Sequence, residues 1–220
     1  MGELALVIAT CFGSAPVRFV QVGSNDGRYN DRIFPFSSSR ADWSGLLVEP
    51  VPYLFERLKR NYAEVAGDPA RFRFAQVAVS GRSGTAQFHY VSPDARNAIP
   101  DLRASHDKIG SLVRGHVLKH RDGLYAAHIE TIEVETLTLH DLLDRHDWHG
   151  VDLVHIDAEG ADWDILSATD LGRLGARLLI YEHKHLSEGD REAARAKLDA
   201  SGYRLVELIN DTCAIRKDRS

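Results

Sequence analysis

The feature that most constrains the fold is a short apolar run that ends in glycines and polar residues, R-F-V-Q-V-G-S-N-D-G at positions 18–27. Its first half is typical of a buried strand, and Gly23 and Gly27 enclose a tight polar turn. Glycines at such a position let the backbone approach a bound molecule and adopt φ angles closed to other residues. Taken alone, the stretch fits either an ordinary strand-to-helix turn or a ligand-binding loop.

Similar buried strands recur along the chain and alternate with amphipathic helical segments. The continuous apolar run at 46–48 is typical of a parallel strand that is covered on both faces, and further buried strands are predicted at 151–156 and 178–181. A chain that alternates in this way forms a mostly parallel sheet with helices on both sides. The sequence therefore predicts a single α/β domain over residues 1–220 with a doubly wound sheet.

Two antiparallel hairpins are expected beside the parallel strands. Residues 71–79 alternate apolar and polar side chains, and after a glycine turn residues 85–91 are expected to pair with them. At the end of the chain, 203–209 and 212–216 are separated by a short Asn-Asp turn. The second pair predicts an antiparallel hairpin at one edge of the sheet.

Composition narrows the possible partners. With 44% hydrophobic residues, a chain of 220 residues can bury a large core. Its formal charge of -5 argues against a surface for nucleic acid or an anionic membrane, so a small-molecule partner is expected. Cys11 and Cys213 lack the spacing of a metal site or a disulfide framework, and the apolar run at 4–9 is too short to span a bilayer. These features predict a cytoplasmic protein.

Four predicted parallel strands end in polar or charged residues. The carboxyl ends of parallel strands lie on one rim of a sheet, where ligands bind. One carboxylate at a strand end is equally well explained as a helix cap. Four such ends together predict a binding site, formed by Asp26, Glu49, Asp157, Glu159, Glu182 and His183.

The first loop helps to distinguish two nucleotide cofactors. An acidic residue at the end of the second strand, here Glu49, is expected to accept hydrogen bonds from a ribose diol. A nicotinamide enzyme should carry G-x-G-x-x-G after the first strand, but this chain has V-G-S-N-D-G, whose acid would repel a pyrophosphate. The loop instead suits the zwitterionic amino-acid end of S-adenosylmethionine.

Five segments together resemble a known family. They are F-V-Q-V-G-S-N-D-G at 19–27, G-L-L-V-E-P at 45–50, A-Q-V-A-V-S at 75–80, V-E-T-L-T-L-H-D-L-L at 134–143, and D-L-V-H-I-D-A-E-G with the following D-I-L at 152–166. In this order the chain resembles the FkbM-type family of class I S-adenosylmethionine-dependent methyltransferases over residues 18–216. The resemblance implies a Rossmann-like, mostly parallel seven-stranded sheet with S-adenosylmethionine as the cofactor.

The resemblance also implies roles for individual residues. The loop at 23–27 would hold the amino-acid part of the cofactor, Glu49 the ribose hydroxyls and 76–79 the border of the adenine, with Asp157 beside the sulfonium. Gln21 stands where many class I enzymes carry an acid, so Asp26 is the candidate for that charge. The implied cofactor-binding residues are Gly23, Ser24, Asn25, Asp26, Gly27, Glu49, Pro50, Ala78, Val79 and Asp157.

Methyl transfer to a hydroxyl needs the acceptor oxygen held in line with the leaving sulfur, and a group that takes the proton. His183 and His155 are candidate bases because histidine titrates near neutral pH. Asp157, Glu182 and His183 also form a candidate Mg²⁺ site, and a metal-free polar site would use the same residue types. The candidate catalytic residues are Asp157, Glu159, Glu182 and His183.

Residues 92–128 interrupt the alternation and form an insert rich in cationic side chains. The cationic residues are Arg103, His106, Lys108, Arg114, His116, Lys119, His120 and Arg121. An insert of this length is expected to be a lid or an acceptor-recognition segment, or a surface excursion without a role. As a lid, it would offer Arg114, His116 and Lys119 to a phosphorylated or acidic acceptor such as a nucleotide sugar.

The sequence thus predicts an S-adenosylmethionine-dependent O-methyltransferase that acts on a hydroxyl of a sugar or a sugar-bearing small molecule. Two alternatives stay open at this point. One is a non-catalytic nucleotide-binding or interaction module on the same fold, because a fold does not establish an activity. The other is an NAD-dependent oxidoreductase, which the missing third glycine disfavours.

Overall fold

The computed structural model describes residues 2–65, 67–99 and 109–217. Its helices are α1 (Glu3–Phe12), α2 (Phe34–Ser39), α3 (Pro52–Ala63), α4 (Ala95–Ala98), α5 (Arg114–Lys119), α6 (Leu139–Arg145), α7 (Asp162–Ala168), α8 (Leu171–Leu174) and α9 (Glu188–Ala200). Its strands are β1 (Val17–Val22), β2 (Trp43–Val48), β3 (Phe72–Ala75), β4 (Ala78–Val79), β5 (Gly84–Val91), β6 (Gly110–Ser111), β7 (Ile129–Leu137), β8 (Leu153–Ile156), β9 (Leu178–Glu182), β10 (Tyr203–Glu207) and β11 (Asp211–Arg216).

The main sheet has seven strands in the order β10-β11-β9-β8-β1-β2-β3. The chain starts this sheet with the interior strand β1, adds β2 and β3 on one side of it, and later returns to the other side of β1 with β8 and β9. These five strands are parallel, whereas β11 is antiparallel to both β9 and β10. The predicted doubly wound sheet with an antiparallel C-terminal hairpin is confirmed.

The other predicted hairpin is wrong. Residues 71–79 divide between two sheets, because β3 joins the main sheet and β4 belongs to a second sheet of order β4-β7-β5-β6. Strand β5 pairs with β7 along its whole length, from Gly84 opposite Thr136 to Val91 opposite Ile129. The nine residues of β7 offer β5 a long ladder of hydrogen bonds, which the two-residue strand β4 cannot match.

Helices cover both faces of the main sheet. Successive side chains of a strand point to opposite faces, so a strand that is apolar throughout needs a helix layer on each side. On one face, Val20 of β1 belongs to a core that includes Leu142 of α6. On the other face, Phe19 packs in a core with Ile8 of α1 and Leu58 of α3. Within the described ranges, every helix is too short or too polar to cross a membrane.

The second of these cores leaves no room for a side chain at position 45. A Cβ on Gly45 would lie 2.1 Å from Cζ of Phe19, whose ring is fully buried beside Trp43 and Phe72. We therefore expect Gly45→Ala to lower the free energy of unfolding by about 1 to 2 kcal/mol, measured by urea denaturation. The control is Gly189→Ala in α9, where a Cβ meets nothing within 4 Å and stability should not fall. An unchanged midpoint for Gly45→Ala would contradict the packing.

Candidate functional site

A cavity with about 550 Å³ of empty space, part of which is open to solvent, lies at the carboxyl ends of β1, β2 and β8. This is the edge of a doubly wound sheet at which ligands bind, next to the point where the strand order reverses. Apolar side chains line much of it, including Val48 and Leu54, and the polar residues include Asn25, Glu49 and Asp157. A largely apolar cavity with a few polar groups is typical of a small-molecule site.

Gly23 brings the first loop into direct contact with the end of β8. Its φ angle is +75°, and a Cβ there would lie 1.9 Å from the carbonyl oxygen of Asp157. The amides of Gly23 and Ser24 both donate to the carbonyl of Val48, at 3.1 Å and 2.9 Å. Only glycine fits this position, because any side chain would separate the strand ends that form the cavity floor.

Glu49 is a buried carboxylate that two backbone amides hold at the cavity wall. Its side chain lies directly after β2 and is 3% exposed. Oε2 accepts a hydrogen bond from the amide of Asn25 at 2.9 Å, and Oε1 accepts one from the amide of Val51 at 2.9 Å. These bonds fix the carboxylate beside the Gly23 loop.

Buried carboxyl groups lie close together behind the cavity. Burial raises the pKa of Asp157 well above its usual range, and the carboxylates of Glu159 and Asp162 act in the same direction. Burial likewise raises the pKa of Asp162 to about 8, with a contribution from Glu182. Asp162 is fully buried and accepts a hydrogen bond from the Glu182 amide at 3.1 Å. The sequence did not predict a role for Asp162, which reads there as an ordinary acid in the first turn of α7.

Glu159 is in a different electrostatic environment from its neighbours. Burial acts to raise its pKa, but hydrogen bonds from His116 and His120 outweigh that effect and lower the pKa to about 2. Its Oε2 lies 3.0 Å from Nε2 of His116. Glu159 lines the cavity as well, so histidines of the insert and the end of β8 meet at the cavity edge.

Comparison with known proteins identifies the family. The family model for the methyltransferase FkbM domain matches residues 21–205 of the chain. The chain belongs to the FkbM methyltransferase family. No curated protein matches its sequence.

Solved structures show the same fold at low sequence identity. The FkbM methyltransferase of Methylobacillus flagellatus KT is 11% identical, with a TM-score of 0.51 over 90% of this chain. This chain spans only 42% of the length of that protein. The METTL16 methyltransferase domain is also 11% identical, with a TM-score of 0.50, and the match covers 98% of this chain and 83% of that one. The fold of this FkbM domain is therefore that of class I methyltransferases.

The cavity of this FkbM domain collects most of the predicted cofactor-binding residues. Those that line it are Gly23, Asn25, Glu49, Pro50, Ala78, Val79 and Asp157. Ser24, Asp26 and Gly27 are not among its described lining residues. The Ser24 hydroxyl donates to the carbonyl of Gln21, the Asp26 carboxylate accepts from the amides of Arg28 and Tyr29, and Gly27 lies against α3. These three residues shape the loop.

The predicted catalytic residues fall into two groups. Asp157 and Glu159 line the cavity, whereas Glu182 and His183 are not among its described lining residues. Nδ1 of His183 lies 2.8 Å from Oγ1 of Thr212, on the side of β11. His155 is 4% exposed and lies on the sheet face opposite the cavity. Of the four predicted catalytic residues, Asp157 and Glu159 therefore border the cavity, and the catalytic roles stay a prediction.

The insert contributes to the cavity mainly through its backbone and apolar residues. Ile109, Gly110 and Leu112 line the cavity, and a small core that includes Val117 and Tyr125 holds the segment together. Its role as a lid or acceptor-recognition segment stays a prediction.

The cationic side chains of the insert differ in exposure. Arg114 and Lys119 are exposed, whereas His116 is half-buried beside Glu159. Three other predicted cationic residues, Arg103, His106 and Lys108, lie outside the described residues, as does the side chain of Arg121. Recognition of an acidic acceptor by these groups stays a prediction.

The predicted Mg²⁺ ligands do not form a cluster of their own in the described ranges. His183 is directed to Thr212, while Oε2 of Glu182 lies 3.4 Å from Nε2 of His185. Mg²⁺ gains no support from this arrangement, and the site stays a prediction. The side chains that do meet with ligand spacing are His116, His120, Glu159 and His185. The H-x-x-x-H spacing of the first two was the available sequence signal.

Proposed function

We propose that this FkbM domain transfers a methyl group from S-adenosylmethionine to a hydroxyl of a sugar or a sugar-bearing small molecule. The observation that carries the proposal is the cavity at the carboxyl ends of β1, β2 and β8, with Gly23 closed against Asp157 and Glu49 fixed in its wall. When bound, S-adenosylmethionine supplies an electrophilic methyl group on a sulfonium. The residues present fit such a ligand.

Each part of the cavity offers a suitable partner for part of the cofactor. The loop from Gly23 to Asn25 presents close backbone and an amide side chain to the amino-acid end. Glu49 presents a buried carboxylate in the cavity wall, which is the type of acceptor that a ribose diol needs. Ala78 and Val79 give the apolar border that an adenine ring needs.

The cavity lining includes two carboxyl groups that could take the proton of an acceptor hydroxyl, Asp157 and Glu159. Glu159, with a pKa near 2, stays ionised at neutral pH. Asp157, whose pKa is raised, binds a proton more tightly than Glu159 does, so in its ionised form it is the better general base of the two. The exposed cations Arg114 and Lys119 on the insert favour an acceptor that carries acidic or phosphate groups, as a nucleotide sugar does.

Calorimetric titration tests the proposal against its alternatives. S-adenosylhomocysteine, the demethylated cofactor, should bind one molecule per chain, and NAD should give no heat. A purified chain that binds NAD and not S-adenosylhomocysteine would establish the oxidoreductase alternative. Binding of S-adenosylhomocysteine without methyl transfer to any of a panel of sugars, nucleotide sugars and glycosylated metabolites would favour the non-catalytic module.

Glu49→Gln should weaken the binding of S-adenosylhomocysteine about tenfold, because a neutral amide is a poorer acceptor for the ribose hydroxyls than a carboxylate. Glutamine keeps one oxygen for a backbone amide but turns an N–H donor towards the other, so a small loss of stability is expected beside the loss of affinity. The measurement is the dissociation constant by calorimetry, with the melting temperature recorded in parallel. Glu64→Gln is the matched control, since the Glu64 side chain lies in an exposed ion pair with Arg28. Equal affinity in both variants would show that Glu49 does not contact the ribose.

A further inference from the structure

Four side chains from separate parts of the chain converge at the edge of the cavity. His116 lies on α5, His120 follows it, Glu159 follows β8 and His185 follows β9. Oε2 of Glu159 lies 3.0 Å from Nε2 of His116 and 3.9 Å from Nε2 of His185. Nε2 of His116 also lies 3.3 Å from Nε2 of His120. All four of these atoms lie within 4.8 Å of one another.

The cluster is held in place from both sides. His116 and His120 are four residues apart, so they project from the same face of a helical turn. The hydroxyl of Ser111 donates to the carbonyl of Glu159 at 2.9 Å and ties the insert to the end of β8. Gly160, with a φ of +95°, leaves space for the His116 ring, since a Cβ there would lie 3.0 Å from Nδ1.

The donor atoms match a transition metal better than Mg²⁺. Three imidazoles and one carboxylate form a donor set that suits Zn²⁺, whereas Mg²⁺ prefers oxygen ligands and water. With Zn–N distances of about 2.0 to 2.1 Å, neighbouring ligand atoms of a tetrahedral site lie about 3.3 Å apart. The three distances above bracket that value, so small side-chain movements would complete the coordination.

We propose that His116, His120, Glu159 and His185 bind a divalent transition-metal ion of the Zn²⁺ class, which fastens the insert to the ends of β8 and β9. Four protein ligands fill a tetrahedral shell, as in structural zinc sites. Without an ion, three half-buried histidines would pack around the single carboxylate of Glu159. The ring centroids of His116 and His185 are 4.5 Å apart. The ion would lie beside the cavity, because Glu159 also lines it.

The test uses the full chain, freed of metal by dialysis against a chelator. Titration with Zn²⁺ should show one ion bound per chain, and an excess of Mg²⁺ should not compete with that ion. Loading with Co²⁺ should produce the intense visible absorption of a tetrahedral site with nitrogen and oxygen ligands. Absence of stoichiometric Zn²⁺ binding, or a Co²⁺ spectrum typical of octahedral coordination, would overturn the proposal. These measurements contain no S-adenosylmethionine, so their outcome is independent of the proposed methyl transfer.

Variants on the two sides of the cluster locate the ion. His116→Gln on the insert and His185→Gln after β9 should each weaken Zn²⁺ binding by about 100-fold or more, since even partners of metal ligands contribute 10- to 100-fold. His149→Gln removes an exposed histidine outside the cluster and should bind Zn²⁺ like the parent chain. Circular dichroism checks that each variant is folded. Unchanged Zn²⁺ affinity in either folded cluster variant would show that the ion binds elsewhere.

Discussion

Gly23→Ala should abolish the binding of S-adenosylhomocysteine and lower the free energy of unfolding by about 2 to 5 kcal/mol. Two costs add at this position. A non-glycine residue at a φ of +75° is strained, and the new Cβ would lie 1.9 Å from a backbone oxygen of Asp157 that cannot rotate away. The strand ends would have to separate, which breaks the hydrogen bonds from Gly23 to Val48 and from Asp157 to Val22. Those bonds hold the cavity floor, so binding and stability should fall together.

Gly150→Ala is the control that separates the backbone strain from the steric clash of the new Cβ. Gly150 has a similar φ of +68°, but a Cβ there meets nothing within 4 Å, so only the backbone strain of about 1 to 2 kcal/mol is expected. Urea denaturation of both variants and calorimetry with S-adenosylhomocysteine give the comparison. If the two variants unfold at the same urea concentration and both bind S-adenosylhomocysteine, the loop does not approach β8 as closely as the structure shows.

The architecture follows from the sequence because local patterns determine it. Apolar runs such as those of β8 and β9 contain too few polar residues for an exposed strand, so they predict the centre of a parallel sheet. The turn between β10 and β11 has the length of a tight hairpin, although it is formed by residues 208–210, because Asp211 already begins β11. Such information lies within a few residues along the chain, and the structure confirms it.

Strand pairing between segments that are far apart in the sequence was not predicted correctly. The hairpin expected between 71–79 and 85–91 fails because the real partner of β5 is β7, which lies beyond the whole insert. A hairpin between 71–79 and 85–91 would need only a short loop, but the longer pairing of β5 with β7 forms many more hydrogen bonds. Alternation alone does not say which of two alternating segments will pair.

The residues of the candidate site likewise divide into those that local sequence patterns predict and those that depend on distant segments meeting. Gly23 and Glu49 are predictable because each belongs to a short motif at the end of a strand. The cluster around Glu159 requires α5, β8 and β9 to meet in space, and the H-x-x-x-H spacing alone leaves its other ligands unknown. Asp162 gives no signal at all, since its burial results from packing between α7 and β9.

His155 should make the protein lose stability on acidification. Its side chain is 4% exposed in the middle of the sheet, between Gln21 of β1 and Ile180 of β9. Burial, with a smaller contribution from the Arg32 charge, lowers the pKa of His155 from 6.5 to about 4. Below pH 6.5 the unfolded chain therefore binds a proton that the folded chain does not, and the folded state is progressively disfavoured down to about pH 4.

His155→Gln should remove this acid sensitivity, because glutamine does not titrate. Between pH 7 and pH 5, the wild-type chain should lose about 2 kcal/mol more of its unfolding free energy than the variant, approaching about 3 kcal/mol at pH 4. Urea denaturation at a series of pH values measures the difference. His149→Gln, which removes a histidine that is 64% exposed, should follow the wild-type curve. Parallel curves for wild type and His155→Gln would mean that His155 gains its proton in the folded chain as easily as in the unfolded one. Its burial in the sheet makes that outcome incompatible with the structure, since an imidazolium there would have to displace the apolar packing around it.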